Sequence, residues 1–137
     1  MSEAQPSTPE TGMTPLMRAA LNGPASHVQA LIEGGDPIDL SDANGNQALW
    51  FACVSDDPET VNLILSAGAD IDHVNESGAT ALMYAASAGK ARALAALLAG
   101  GADLRIEMGG LTALDMAATI ECLSLMRAAD RKARTDG

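Results

Sequence analysis

A segment of nine residues recurs four times along the chain, and its spacing of 33, 33 and 32 residues restricts the possible folds more than any other feature. The copies read GMTPLMRAA, GNQALWFAC, GATALMYAA and GLTALDMAA, with leucine in the fifth column and alanine in the eighth. They begin at Gly12, Gly45, Gly78 and Gly110. A unit of this length cannot bury its own apolar face, so successive units must stack on one another. The period therefore predicts a short solenoid.

Two helices are predicted in each of the first three units. The nine-residue segment forms the first helix, and a second helix follows it with apolar residues spaced i, i+3 and i+4, as in Val61, Ile64 and Leu65. A glycine comes after each second helix, where a left-handed residue can end it, and a polar turn precedes the next unit. The predicted fold class is therefore an all-α solenoid of about four helix-turn-helix units, joined by short β-turn or hairpin-like connections.

The same alignment sets the expected domain boundaries. Residues 1–11 are polar and aperiodic, which predicts a flexible N-terminal tail, and residues 131–137 are predicted to be a C-terminal tail. No stretch has the apolar length of a membrane span or the pattern of a secretion signal. The repeat domain is expected over residues 12–130, with units at about 12–44, 45–77, 78–109 and 110–130.

The charge balance disfavours two classes of partner. The chain has 18 acidic and 8 basic residues, for a formal net charge of −10, and only one Trp, one Tyr and one Phe. Four of the basic residues lie beyond residue 126, so residues 1–126 carry 16 acids and 4 bases. Such a body repels phosphate backbones and anionic membranes, and it offers few rings on which bases could stack. We expect a basic protein partner, with no nucleic acid and no membrane.

The pattern resembles that of the ankyrin repeat family, from about Gly12 to Ala129. The resemblance rests on the 33-residue period, on the Thr-Pro-Leu and Thr-Ala-Leu segments at 14–16 and 80–82, and on the exit sequences at 68–72 and 101–104. The fourth unit lacks three residues between its helices, as a terminal cap can. The chain also departs from the family where a histidine usually follows the leucine; the residues there are Met17, Trp50, Met83 and Asp115.

This resemblance implies a partner-binding groove built from the turn tips and the exposed face of the first helices. Residues four positions apart share a helix face, which groups Met17 with Leu21 and Trp50 with Val54. One hypothesis is an exposed Trp50 anchor with Met17 and Met83 beside it, because Trp and Met suit adaptable interfaces. The alternative is that Trp50 packs between units in place of the missing histidine. The candidate partner-binding residues are Met17, Leu21, Asn44, Asn46, Trp50, Val54, Glu76, Ser77, Met83, Ser87 and Asp115.

No set of residues converges on a catalytic site in the sequence pattern. Cys53 takes a position that is alanine in the other units, so we expect it to fill the core. Asp56 and Asp57 precede a proline, where acidic residues cap a helix. Neither a cofactor nor a metal is expected. The alternative function is a small enzyme or metal-dependent regulator that would recruit Cys53, His73 and the acid pair.

The function predicted from these features is that of a non-enzymatic protein–protein interaction module. A stacked scaffold is rigid, and rigidity limits the entropy lost on binding. We expect a cytoplasmic monomer that binds a basic protein through the acidic groove, as an inhibitor, an immunity protein or an adaptor.

Overall fold

The computed structural model describes residues 12–136 and forms eight helices over this range. The helices pair in chain order, so that each unit has a first and a second helix. The first helices are α1 (Pro15–Asn22), α3 (Ala48–Val54), α5 (Ala81–Ser87) and α7 (Ala113–Met116). The second helices are α2 (Ala25–Glu33), α4 (Pro58–Ser66), α6 (Ala91–Ala99) and α8 (Ile120–Asp136). The predicted tail at residues 1–11 lies outside the described residues.

Each helix packs on its partner in the same unit and on the equivalent helix of the neighbouring unit. The first helices form one layer and the second helices form the other. The alanine column is buried, with exposures of 3% at Ala19, 0% at Ala52 and 0% at Ala85. Side chains this small let neighbouring helices approach closely. Over residues 12–136 no strand forms, and an isolated antiparallel bridge joins Met108 to Leu111, so the predicted all-α repeat solenoid is confirmed.

The second helices supply the large side chains of the core. Val28, Val61, Ile64, Leu94 and Leu97 are all fully buried. Full burial of one such side chain stabilises the fold by about 1.5–3 kcal/mol. The apolar stripe read from the sequence is therefore the face that each second helix turns toward the core.

Threonine side chains cap the N-termini of three of the first helices. The hydroxyl oxygens of Thr14, Thr80 and Thr112 accept the backbone N–H of the residue three positions later. Such a cap contributes about 1 kcal/mol because it satisfies an N–H that has no partner inside the helix. The first helices thus begin at the threonine of the repeated segment, except in the second unit, where Gln47 precedes α3 and makes no side-chain cap.

The fourth unit differs from the others at both of its helices. Its first helix, α7, has only 4 residues, which accommodates the three missing positions. Its second helix has 17 residues, whereas each of the other second helices has 9. The helix continues to Asp136, so residues 131–136, predicted as a C-terminal tail, extend α8 beyond the repeat. The segment after Ala129 lacks glycine or proline before its last residue, and its arginines, lysine and alanine favour a helix.

Asp56 and Asp57 have different roles, only one of which the sequence predicted. Asp57 caps α4 through its side chain, which accepts the backbone N–H of Glu59. Asp56 has a φ of 57°, at the place where the first and third units have Gly23 and Gly89. Its Oδ1 accepts the backbone N–H of Ala93 at 2.8 Å, in the first turn of α6. Asp56 therefore joins the second unit to the third, from a backbone conformation that costs about 1–2 kcal/mol.

Replacing Asp56 by alanine should lower the free energy of unfolding by about 2–3 kcal/mol, because a charged hydrogen bond to a helix N-terminus is lost. Asp56→Gly should cost less, since glycine adopts a positive φ without strain. Asp56→Asn should be the mildest, because its amide oxygen can still accept the Ala93 N–H. Denaturant unfolding of the three variants measures the order. A glycine variant more stable than the wild-type chain would show that the bond to Ala93 contributes less than the backbone strain costs.

Candidate protein-binding surface

The first two turn tips between units, residues 42–46 and 75–79, are each organised by one polar side chain. In the first tip, Asp42 Oδ1 accepts the backbone N–H groups of Asn44 and Asn46, both at 2.9 Å. In the second tip, Asn75 Oδ1 accepts those of Ser77 and Ala79, at 2.9 and 3.0 Å. These bonds fix the backbone of each tip as Asx turns do. The tips therefore present their remaining side chains from a defined framework.

The first two tips are also bonded to each other. The backbone N–H of Glu76 donates to the carbonyl oxygen of Asn44 at 3.1 Å, and Asn75 Nδ2 donates to Asn46 Oδ1 at 2.9 Å. A ring nitrogen of His73 lies 2.8 Å from the carbonyl oxygen of Gly45. His73 is thus part of the contact between tips. Asn46, predicted to contact a partner, is 8% exposed and holds the tips together instead.

The prediction that Met17 and Met83 are exposed is wrong. Their exposures are 1% and 2%, and both belong to the core. Both are the third residue of a first helix, where a side chain can point back toward the N-cap. Met17 Sδ accepts the backbone N–H of Thr14 at 3.3 Å, and in the fourth unit Asp115 Oδ2 accepts that of Thr112 at 2.9 Å. These two residues supply the hydrogen bond to the N-cap at the position where the family has histidine.

Trp50 occupies the same third position but is half-buried. Its ring lies against that of Tyr84 in the next unit, with centroids 4.8 Å apart and planes inclined by 41°. We call these two residues the aromatic pair. Such a tilted contact is favourable by about 0.5–1.5 kcal/mol beyond the area it buries. Trp50 therefore packs between units and also retains exposed ring, and its role as an anchor for a partner stays a prediction.

Tyr84 is the residue of this surface that was not among the predicted partner-binding residues. The sequence places it one position beyond the column of Trp50, and partial burial of Tyr84 and Phe51 was expected; both are half-buried. The sequence did indicate a contact between aromatic residues, because the chain has only three of them and all fall within two adjacent columns of the repeat. Partial burial, and secondarily the nearby Cys53, raise the pKa of the Tyr84 hydroxyl above its usual value. The hydroxyl is therefore protonated at neutral pH and able to donate a hydrogen bond.

The other predicted residues retain solvent exposure. Leu21 and Val54 are half-buried on the first helices, and Ser87 is exposed on α5. We use the name candidate surface for the exposed and half-buried members of the predicted set together with Tyr84. It consists of Leu21, Asn44, Trp50, Val54, Glu76, Ser77, Tyr84, Ser87 and Asp115.

A small cavity lies beside Trp50 of the aromatic pair. The cavity next to Trp50, which Asp70, His73 and Asn75 also line, has a volume of about 10 Å³. That volume holds at most one water molecule.

Cys53 has the environment of a core residue. It is 0% exposed, and burial, with a smaller contribution from the Asp56 carboxylate, raises the pKa of its thiol to about 12. The thiolate, which is the nucleophilic form, is therefore almost absent at neutral pH. Within residues 12–136, no group of three or more His, Cys, Asp or Glu side chains is close enough to hold a metal ion, and no helix has the length and apolarity to cross a bilayer.

The comparison with protein families gives one match. A family model described as "Ankyrin repeats (3 copies)" matches residues 2–75 and 55–133, which together span nearly the whole chain. No curated protein matches the chain.

Proposed function

This chain belongs to the ankyrin repeat family, whose repeats are generally protein–protein interaction modules, and on that basis we propose that it binds a basic protein through the candidate surface without catalysing a reaction. The observation that carries this proposal is the aromatic pair. Trp50 and Tyr84 come from two neighbouring units and are both half-buried, so together they offer a rigid apolar site with polar edges. Tryptophan and tyrosine are enriched among the residues that dominate binding energy at interfaces.

The surroundings of the pair support a basic partner. Glu76 and Asp115 are exposed on the candidate surface and carry negative charge. Val74, next to the second tip, is 46% exposed and adds an apolar side chain. The larger contribution to the negative charge comes from residues 1–126 as a whole, which contain 16 acids and 4 bases. A field of this sign accelerates the encounter with a positively charged protein. The proposed partner is therefore a protein with an exposed cluster of Lys and Arg around an apolar contact.

The biological setting is part of the same proposal. Cys53 and Cys122 are both free and buried, which fits a reducing compartment such as the cytoplasm. We propose that the chain works there as a monomer. An inhibitor, an immunity protein and an adaptor would all use the same surface.

The test is capture of partners with the wild-type chain and two variants in parallel. Trp50→Ala should weaken partner affinity by about 2 kcal/mol or more, roughly thirtyfold, because it removes a ring from the centre of the contact. The control is Leu63→Ala, which removes a half-buried apolar side chain from α4 in the other layer and should change affinity by less than about threefold. Equal effects of the two variants would overturn the assignment of the surface.

Salt dependence tests the charge of the partner. The association rate should fall about tenfold or more between low and physiological ionic strength, because screening removes long-range attraction. The dissociation rate should change far less. An association rate independent of salt would contradict the proposal of a basic partner.

A further inference from the structure

The last helix extends past the end of the repeat. Met126 of α8 corresponds to Leu97 of α6, yet α6 ends at Ala99 whereas α8 continues to Asp136. The additional segment of about eight residues is about 12 Å long. It passes over the exit loop of the third unit, residues 101–105, and leaves an open cleft of about 720 Å³ between helix and loop.

This cleft has an apolar floor and a basic rim. Leu98 and Leu104 line it from the third unit, and Ala129 and Ala133 line it from α8. The rim carries three cations, Arg105, Lys132 and Arg134. Small side chains on α8 leave room above the leucines, so the floor can receive an apolar side chain from another molecule.

Both acidic residues of the cleft are already paired. Asp103 bonds Arg105 at 3.1 Å, and Asp130 bonds Arg134 at 3.0 Å. Lys132 makes no ion pair with any residue that the structure describes, and it is exposed. Residues 127–137 contain four basic and two acidic residues, whereas residues 1–126 contain 16 acids and 4 bases. The cleft lining itself has three cations and two carboxylates, so its formal charge is +1.

We infer that this cleft is a second binding site, for an acidic amphipathic segment of a partner protein. The apolar side chains of the segment would lie on Leu98 and Leu104, and its carboxylates would contact Lys132 and the two arginines. The cleft volume falls within the range of about 300–1,000 Å³ found for binding pockets. It shares no residue with the candidate surface, so the inference does not depend on the proposed function.

The charge distribution favours a short acidic segment over other anionic partners. A duplex nucleic acid or an anionic membrane extends far beyond a basic patch about 12 Å long, and would meet the acidic body of the chain. A second copy of the chain would meet the same repulsion, because each copy carries a net charge of −10. A short peptide can contact the cleft while leaving the acidic body free.

The probe for this site is a fluorescein-labelled peptide of about 12 residues, long enough as a helix to cover the cleft, with leucines at helical spacing and glutamates elsewhere. Binding to the full chain is followed by fluorescence anisotropy. The double variant Lys132→Glu/Arg134→Glu should weaken binding by at least about tenfold, and Ala133→Glu should do the same by filling the cleft. The matched control, Lys90→Glu/Arg92→Glu, makes the same change in net charge at the other end of α6 and should leave binding within about threefold.

Three results would overturn the inference. They are equal weakening by the control and the cleft variants, failure of the peptide to bind the wild-type chain, and tighter binding of anionic vesicles or duplex DNA than of the peptide. Circular dichroism checks that each variant is folded, which is expected because the replaced side chains, apart from the half-buried Lys90, are exposed. If the cleft double variant fails to fold, the other variants still test the site. The site is supported if Ala133→Glu loses peptide binding and Lys90→Glu/Arg92→Glu retains it.

Discussion

Met83→Ala should lower the free energy of unfolding by about 2–5 kcal/mol, the range for truncating a methionine inside a core. Met83 is 2% exposed and lies in the core between α5 and its neighbours, so its removal leaves a cavity that the surrounding helices fill only in part. In a solenoid each unit depends on the adjacent ones, and a loss in the third unit weakens its contacts with the second and the fourth. Equilibrium denaturation with guanidinium measures the loss.

The matched control for this prediction is Ser87→Ala, on the same helix but exposed. It should change stability by less than about 0.5 kcal/mol. If Met83→Ala were equally mild and abolished partner binding, Met83 would be a surface anchor after all, and the assignment of its column to the core would be contradicted.

Gly45→Ala should destabilise the chain by about 3 kcal/mol or more, for two reasons that add. Gly45 has a φ of 81°, where a side chain costs about 1–2 kcal/mol. A Cβ there would also lie 2.9 Å from the backbone nitrogen of Glu76 and 3.3 Å from Asn75 Cα. Both atoms belong to the backbone of the next tip, so the collision can be relieved only by separating the tips. The bond from Glu76 N–H to the carbonyl of Asn44 would then lengthen or break.

Gly110→Ala is the control that separates the cost of a side chain at positive φ from the cost of a collision with the next tip. Gly110 has a φ of 84°, nearly the same as Gly45, but no atom lies within 4 Å of a Cβ built there. It should cost only the conformational strain, about 1–2 kcal/mol. Thermal and denaturant unfolding of both variants give the comparison. Equal losses would show that the tips are not in the close contact described.

The sequence predicted the repeating parts of the fold because the same physical requirement recurs in every unit. Glycine after each second helix is an example, since Gly35, Gly68 and Gly101 have φ values of 90°, 105° and 91°. The buried leucine and alanine columns and the short fourth unit were predicted for the same reason. A feature that appears at a fixed period can be recognised without knowing the three-dimensional contacts.

The candidate surface was harder to predict, because exposure on a first helix depends on where the next unit packs. The third helical position holds Met17, Trp50, Met83 and Asp115, and its side chain is buried in the first and third units, half-buried in the second and exposed in the fourth. A tryptophan is too large for the space that a methionine fills, and its ring extends to Tyr84 instead. Helical spacing alone placed Met17, Trp50 and Met83 on one helix face. It did not show how deeply the neighbouring units bury that face.

The extension of α8 was missed for a related reason. In the family pattern each second helix ends at a fixed position. The last unit was predicted to end at that position as well. Local propensity gave the better indication, because residues 127–135 contain arginine, lysine and alanine and no residue that stops a helix. The part of the chain that departs from the repeat is also the part where the charge changes sign.

Trp50 is the only tryptophan in the chain, so its fluorescence reports directly on whether the candidate surface contacts a partner. The measurement is the quenching of Trp50 by acrylamide, with and without a saturating amount of the captured partner. We expect partner binding to shield the half-buried ring, so that quenching falls and the emission maximum shifts. A partner that binds, as shown by sedimentation, while quenching and emission stay unchanged would contradict it.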